Sequence, residues 1–398
     1  MDNILEAGDM ISCFTSIKGE EYMIREKLFK KLLTKNRINI LENAINILLL
    51  THNDLDGSGP VIILNKYFEL IETIHCSNEN MDQIISDNVL NEDILNSYDA
   101  VFITDIHCSK DTADKINELD KNNQDKIFLL DHHKTAMWLN EYPFAVVETN
   151  NPEDSFSHIG IRIINLCNYK DTGTSGNASA TTLLYDFMLS VVSILNRKKH
   201  LPYDLESIKD DFLTEFCFYI GIYDTWDWVN IFNKQYDDSL NRLFYIYGMD
   251  YFDNIYTSRA YSYEDIISEQ DKTLLYIEDK KIKKYIEGKD IKIIDVNIKD
   301  KSYTICYCFA EQHLSELFEY MEEKYPSVYS DKNNNSGIID FYIVITDQGI
   351  SFRSRGNDCI DVSEIAKLYG GGGHPQTADC AINKEAQLSY VKAILNFN

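Results

Sequence analysis

The chain has 398 residues, 44% of them hydrophobic and 12% aromatic, with only 6 Pro and 17 Gly; this excludes disordered and fibrous proteins and leaves room for two or three packed domains. Its 38 Lys and Arg stand against 64 Asp and Glu, a formal net charge of −26 at pH 7. Such a chain repels a phosphate backbone, so a protein that coats or tracks long duplex nucleic acid is not expected, whereas bound divalent cations would supply the positive charge that its side chains lack. No run approaches the roughly 20 apolar residues of a membrane helix, and the first ten residues carry Asp2, Glu6 and Asp9 instead of a basic leader, so a cytoplasmic protein without a membrane partner is expected. Nine cysteines are scattered without a C-x-x-C pair and are expected to be reduced and mostly buried.

In chain order, residues 1–44 read as an accessory N-terminal helix, with Ile24, Leu28, Leu32 and Leu33 on one side and Arg25, Lys27, Lys30, Lys31 and Lys35 interleaved. From Ile45 onwards the short apolar runs Ile47 to Leu50, Ala100 to Thr104 and Ile127 to Leu130 alternate with helix-length segments, the pattern of parallel strands with crossover helices. A mostly helical stretch runs from about Ala178 to Tyr223 and ends in Tyr223-Asp224-Thr225-Trp226-Asp227-Trp228. Residues 236–287 read as a helical bridge. After Gly288 strands are expected at Ile291 to Ile298, Tyr303 to Phe309, Phe341 to Ile345 and Ile350 to Arg353, with a helix at Glu311 to Lys324 and a short helix capped by Asp361 that stops at the run Gly370 to Gly373. The loop Ser330 to Gly337 is expected to be an exposed insertion. The fold class is therefore α/β: a parallel-sheet domain over 45–235, joined by the helical bridge to a smaller mixed α/β domain over 288–398.

Each apolar run of the first domain is followed at once by polar residues: His52, Asp54 and Asp56 after the first, Asp105 after the second, Asp131, His132 and His133 after the third. In open parallel sheets ligands bind beyond the carboxyl ends of the strands, so the three clusters converge on one edge. His52, Asp54 and Asp56 alternate, which places them on one side of an extended segment, and Gly57-Ser58-Gly59-Pro60 then offers a turn and a helix start. A single carboxylate at a strand end is ordinarily a cap or turn residue, and that reading suits Asp105 or Asp224 taken alone. Six or seven such groups at neighbouring strand ends would repel one another without cations. Their mixture of carboxylate and imidazole favours manganese, with magnesium a poorer fit, over a thiolate zinc site.

The segments H-N-D-L-D-G at His52 to Gly57, T-D at Thr104-Asp105, D-H-H at Asp131 to His133 and Y-D at Tyr223-Asp224, followed by S-F-R-S-R at Ser351 to Arg355 and G-G-G-G-H-P at Gly370 to Pro375, resemble the ordered motifs of DHH-family phosphoesterases. The resemblance covers about residues 46–395 and points to the branch with the DHH-associated C-terminal domain, which includes oligoribonucleases and nucleotide phosphodiesterases. It implies that His52, Asp54 and Asp105 hold one of two divalent metal ions and that Asp56, Asp105, His132 and Asp224 hold the other, with Asp105 as the bridge. It further implies catalytic roles for His133, facing the scissile phosphate, and for Asp131, orienting a neighbouring imidazole. Two such ions can activate a water for in-line displacement at phosphorus, so no protein nucleophile is needed. Ser175, Asn177 and Ser179 would line the substrate path, although a loop leading into a helix capped by Ser179 accounts for the same segment. His107 and Asp227 lie near these motifs, but spacing alone makes neither a ligand, and both read as turn or surface groups.

In the C-terminal domain Ser351, Arg353 and Arg355 fall on one side of a strand and Phe352 on the other. Two neighbouring arginines on an acidic chain call for an anion, and their forked donors suit phosphate. Gly371, Gly372 and Gly373 would let backbone N–H groups approach a ligand, whereas a helix C-cap explains one glycine of the run. His374 would contact a terminal phosphate or ribose. Where the family has two small residues and a glycine after G-G-G-H-P, this chain has Thr377-Ala378-Asp379, which puts a carboxylate near the expected phosphate.

The expected protein is a two-metal phosphodiesterase, acting between its two domains on short single-stranded oligonucleotides or small nucleotides and working as a monomer or homodimer. A single-strand exonuclease is the alternative within the class, disfavoured by the charge. A pyrophosphatase of the related branch lacks the Arg and glycine features. A catalytically idle nucleotide sensor would have lost some of the ligand-type residues, all of which are present, and an acidic scaffold explains none of the motifs.

Overall fold

The computed structural model describes residues 28–148, 178–199, 210–225, 238–262, 264–326, 328–330, 336–355 and 360–382. The expectations for Ile24, Arg25, Lys27, Ser175, Asn177 and Asp227, and for Asn333 to Asn335 of the exposed insertion, lie outside them. The chain divides into two compact units, residues 1–275 and 276–398.

In the first unit the helix α1 (Lys35–Asn43) leads into β1 (Asn46–His52), α2 (Leu55–Tyr67), β2 (Leu70–Cys76), α3 (Met81–Asn88), α4 (Glu92–Leu95) and β3 (Ala100–Thr104). There follow α5 (Lys110–Glu118), α6 (Lys121–Asp125), β4 (Ile127–Asp131), a 3₁₀ turn at Lys134–Glu141 and β5 (Ala145–Val147). The five strands form a parallel sheet in the order β2-β1-β3-β4-β5. Leu48, Leu50, Val101 and Leu129 face one buried cluster, while Ile47, Leu49, Phe102 and Phe128 face the other. Both faces of the sheet are covered, which is why these strands read as unbroken apolar runs.

Four further helices, α7 (Ala180–Lys198), α8 (Asp211–Asp224), α9 (Ser239–Tyr247) and α10 (Met249–Ser262), complete the unit, and α2 packs against both α7 and α10. The described part of residues 1–44 is not accessory. Phe29 and Leu32 are wholly buried, Phe29 meets Phe187 of α7 edge-on at 5.5 Å, and the buried Arg37 donates to the carbonyls of Gln124 and Ile127. The helices of 236–287 form as expected, but α9 and α10 belong to the core of the first unit: Leu243, Phe252 and Tyr256 have no exposed surface, and Tyr256 stacks on Phe216 at 5.4 Å. Only α11 (Glu269–Glu287) runs across the boundary, its first turn held by a buried pair between Arg259 and Asp271 at 2.8 Å.

The second unit contains β6 (Lys292–Ile298), β7 (Lys301–Phe309), α12 (Leu314–Lys324), the hairpin β8 (Val328–Ser330) and β9 (Ser336–Ile338), β10 (Phe341–Ile345), β11 (Gly349–Arg353), α13 (Val362–Leu368), β12 (Gly372–His374) and β13 (Thr377–Ala381). Its mixed sheet has the order β12-β13-β11-β10-β7-β6. Leu317, Phe318 and Met321 of α12 pack with Cys306, Cys308 and Val344, while Val362, Ile365 and Ala366 of α13 pack with Phe341, Phe352 and Ala378. The six cysteines among the described residues are free and buried. No described helix is long and apolar enough to cross a membrane.

Candidate metal centre

Adjacent strands β1, β3 and β4 end side by side, and their ends are tied by hydroxyls: Thr104 donates to Thr51 at 2.9 Å, and Thr51 donates to the Gly57 carbonyl at 2.9 Å. Asp54 is the N-cap of α2. Its Oδ1 accepts the Gly57 amide at 2.9 Å while Oδ2 lies 2.7 Å from His52 Nδ1. A Cβ at Gly57 would stand 2.0 Å from the His52 carbonyl oxygen, so only glycine lets the strand and helix close on each other here.

Asp56 is buried beneath this loop and accepts the amides of Ala180 at 2.7 Å and Thr181 at 3.1 Å, the first two residues of α7. The N-terminal end of a helix favours a negative charge, so α7 both orients and stabilises this carboxylate. Ser179 caps the same helix through a reciprocal pair with Thr182 and has no exposed surface. Its hydroxyl serves the helix that holds Asp56, the capping role that the sequence also offers.

Asp105 follows β3 at φ 61°, a left-handed conformation unusual for a residue with a side chain, and its carboxylate is buried. Its Oδ1 lies 3.1 Å from His132 Nε2 and its Oδ2 lies 3.8 Å from His52 Nδ1. His132 Nε2 is in turn 3.6 Å from Asp224 Oδ2, at the end of α8, and 3.7 Å from Asp56 Oδ2. Two groups of potential ligands result, His52 with Asp54 and Asp105, and Asp56 with His132 and Asp224. Asp105 stands between them. In a third grouping it joins Asp131, His132 and His133.

Like charges crowd this edge. Burial and the neighbouring Asp56, Asp54 and Asp224 push Asp105 well above the usual carboxylate range, and burial together with Asp56, Asp54 and Asp131 pushes Asp224 up to about 9. Burial would raise Asp54 as well, but His52 and the Gly57 amide outweigh it and hold this group at about 2. Burial also opposes ionisation of Asp131, yet His107 and His133 hold it below the carboxylate range. Asp54 raises His52, and Asp131 raises His133. Asp105 Oδ2 and Asp224 Oδ2 are buried and accept no hydrogen bond among the described residues. Buried polar atoms are normally paired, so these unpaired carboxylate oxygens beside imidazole nitrogens fit divalent cations.

Two residues of this edge were not read from the sequence as part of it. His75, near the end of β2, lies 3.0 Å from the His52 carbonyl oxygen through Nδ1 and 3.0 Å from Asp253 Oδ2 of α10 through Nε2; its partner is 178 residues away. His107 stands 3.2 Å from Asp131 Oδ2. His107 has a sequence signal in its place just after the expected strand Ala100 to Thr104, whereas no strand is expected at Leu70–Cys76 and nothing in the sequence marks His75.

The second unit treats its expected substrate groups differently. Ser351 and Arg353 share a side of β11 with Phe352 opposite, but Arg355 lies beyond the strand and pairs with Glu322 of α12 at 2.7 Å. Arg353 lies 4.9 Å over the Phe318 ring and donates to the Phe352 carbonyl. The anion expected for Arg355 is thus a side chain of the same unit. Backbone conformation or close packing within the chain also accounts for three members of the glycine run. Gly370 ends α13 at φ 79°, a Cβ on Gly371 would stand 2.0 Å from the Asp379 carbonyl oxygen, and Gly373 has φ 143° and lies against Thr377 and Ala378. Gly372 has open space, and His374 is exposed at the end of the edge strand β12. Asp379 accepts a hydrogen bond from Ser351.

No family model matches the chain. Over 348 residues it is 27% identical to oligoribonuclease NrnB of Bacillus subtilis, covering 86% of this chain and 74% of that relative. The chain is thus similar to an oligoribonuclease, in keeping with the resemblance of its ordered motifs to those of DHH-family phosphoesterases. Solved structures similar to this chain include the pGpG-specific phosphodiesterase PggH from Vibrio cholerae, at 12% identity and a TM-score of 0.38 over 88% of this chain and 98% of that one. Another is RecJ in complex with Mn²⁺ from Thermus thermophilus, at 13% identity and a TM-score of 0.38 over 91% of this chain and 54% of that one.

Proposed function

We propose that the chain is a metal-dependent phosphodiesterase that hydrolyses short single-stranded oligonucleotides, or small linear dinucleotides, to mononucleotides. The observation that carries this reading is the convergence of His52, Asp54, Asp56, Asp105, His132 and Asp224 on one sheet edge, with buried carboxylate oxygens that accept no hydrogen bond among the described residues. The similarity to an oligoribonuclease supports the substrate class.

In this reading His52, Asp54 and Asp105 hold one divalent ion and Asp56, Asp105, His132 and Asp224 hold the other, manganese before magnesium. Such a pair supplies an activated water and offsets charge on the phosphoryl oxygens. The protein's own contribution is orientation. Asp105, turned by its left-handed backbone, offers one oxygen to each group. Asp56 is held by the amides of α7 and Asp54 by the first turn of α2. His133 Nδ1 lies 2.7 Å from Asp131 Oδ1, and an ionised carboxylate only accepts, so the ring proton is kept on Nδ1 and Nε2 is left free to meet the reacting phosphate. Arg353 and His374 are proposed to contact the non-reacting part of the nucleotide. Arg355, neutralised by Glu322, contributes less.

The test is a comparison of purified protein with Mn²⁺ on linear dinucleotides, 5-mers, 24-mers and cyclic dinucleotides. Dinucleotides and 5-mers are expected to be cleaved fastest, because the net charge of −26 opposes a trailing phosphate backbone, and EDTA is expected to abolish turnover. Faster cleavage of the 24-mer at physiological salt would establish the exonuclease instead. Tight binding of a dinucleotide without turnover would establish the sensor.

A further inference from the structure

We propose that His107 is a positioning residue, which through Asp131 fixes the ring of His133. The Asp131 carboxylate has no exposed surface. Its Oδ1 is fully engaged, accepting the amides of His132 at 2.8 Å and His133 at 3.3 Å and facing His133 Nδ1 at 2.7 Å. Oδ2 accepts no hydrogen bond among the described residues, and the donor-type atom that faces it is His107 Nδ1, in an ion-pair contact at 3.2 Å that does not have hydrogen-bond geometry. A buried carboxylate is costly unless its oxygens are met by donors, and no Lys or Arg pairs with this one among the described residues. The His107 imidazole is therefore the group placed to complete it by a small turn of either side chain.

The loop that carries His107 is built to aim it. The left-handed turn at Asp105 redirects the chain at the end of β3, and Ile106 and Cys108, buried on either side of His107, anchor the segment in the core. The His107 and His133 rings then flank the same carboxylate, with centroids 6.2 Å apart. His133 Nδ1 faces a carboxylate oxygen at 2.7 Å, so this nitrogen carries a proton. His107 joins none of the groups that could hold a metal ion. Its action is on His133, at one remove: without it no donor faces Asp131 Oδ2, the carboxylate is free to turn, and the imidazole it orients loses its fixed direction.

The activity arm of the test rests on the phosphodiesterase reading; the spectroscopic arm does not. Wild type, His107→Ala and His107→Asn are compared, asparagine placing an amide donor where Nδ1 stands. On a linear dinucleotide with Mn²⁺, His107→Ala is expected to lower kcat by roughly 10- to 100-fold with KM within about two-fold of wild type, and His107→Asn to recover most of the loss. In metal-free protein, ¹⁵N-edited NMR of the imidazoles is expected to show a protected His133 Nδ1–H signal in wild type and His107→Asn, lost by exchange in His107→Ala. An unchanged His133 signal in folded His107→Ala overturns the proposal, as does equal damage by the two substitutions. A fall in Mn²⁺ affinity that matches the loss of kcat also overturns it, by making His107 a ligand. If the NMR signals behave as expected while wild type cleaves no diester, the positioning role stands and the phosphodiesterase reading falls.

Discussion

The carboxyl edge of the parallel sheet and the arginine–glycine end of the second unit are built on opposite principles. At the sheet edge Asp105 and Asp224 keep buried oxygens that accept no hydrogen bond among the described residues, and Asp105 bears an unusual backbone conformation. In the second unit Arg355 is met by Glu322, Arg353 lies on Phe318, and Gly371 and Gly373 are small because neighbouring backbone leaves no room. The first region leaves buried carboxylate oxygens that a divalent cation would satisfy. The second is satisfied by its own chain and could give up only part of what it has to a ligand. Unmet buried charge, more than the presence of charged residues, separates a centre of chemistry from a surface that grips.

The largest expected effect lies at the first region. Asp105→Ala should lower kcat/KM on a dinucleotide by about 4 kcal/mol, roughly 10³-fold, because one carboxylate serves both groups of ligands. A steady-state assay across Mn²⁺ concentrations checks it, and an active variant would remove the contrast between the two regions. The second unit should respond more weakly. Arg353→Ala and His374→Ala should each cost about 1.5–3 kcal/mol in kcat/KM on an oligonucleotide, the range for hydrogen bonds to charged groups, and little on bis-p-nitrophenyl phosphate. Arg355→Ala should stay below about 1 kcal/mol, as expected for an exposed pair. Parallel loss on both substrates would mean that these residues act on the reacting phosphate.

A smaller effect concerns stability. The Asp224 carboxyl is raised to about 9 in the folded protein, and Asp105 is raised as well. A raised acid favours folding while it is protonated, and the advantage is lost as pH rises from the unfolded value near 4 through the folded one. Metal-free protein should therefore melt at a higher temperature at pH 5.5 than at pH 8.5. Asp224→Asn should flatten that slope, and added Mn²⁺ should reverse it. Below pH 4 the sign changes, because Asp54 and Asp131 have lowered values and their contribution is lost as they protonate. Thermal melts across this range in EDTA are the check. The smallest difference is within the glycine run: Gly372→Ala should change stability by less than about 0.5 kcal/mol, whereas Gly371→Ala must displace the Asp379 backbone and should unfold the second unit at visibly lower temperature.

Much was legible in the sequence. The two-faced burial of a parallel sheet imposes unbroken apolar strands, so Ile47 to Leu50, Ala100 to Thr104 and Ile127 to Leu130 announced themselves, and the polar residues after each strand could be assigned to a common edge. Local chemistry was enough for the Ser179 cap, which depends on residues within four positions; the helix expected to start at Gly57 to Pro60 instead starts at Leu55, because the Asp54 carboxylate caps it by accepting the Gly57 amide. What depends on distant partners could not be read. The N-terminal segment looks like a surface helix until Arg37 is seen to meet the backbone at Gln124 and Ile127. His75 is an ordinary strand residue until Asp253 is seen beside it, and Arg355 invites a phosphate until Glu322 is found against it. Sequence determined which residues could do chemistry, since residue type and strand-end position are local properties. Tertiary structure alone decided which of them are already satisfied, because a hydrogen bond or ion pair is made by whichever group the fold brings within about 3 Å, however far along the chain it lies.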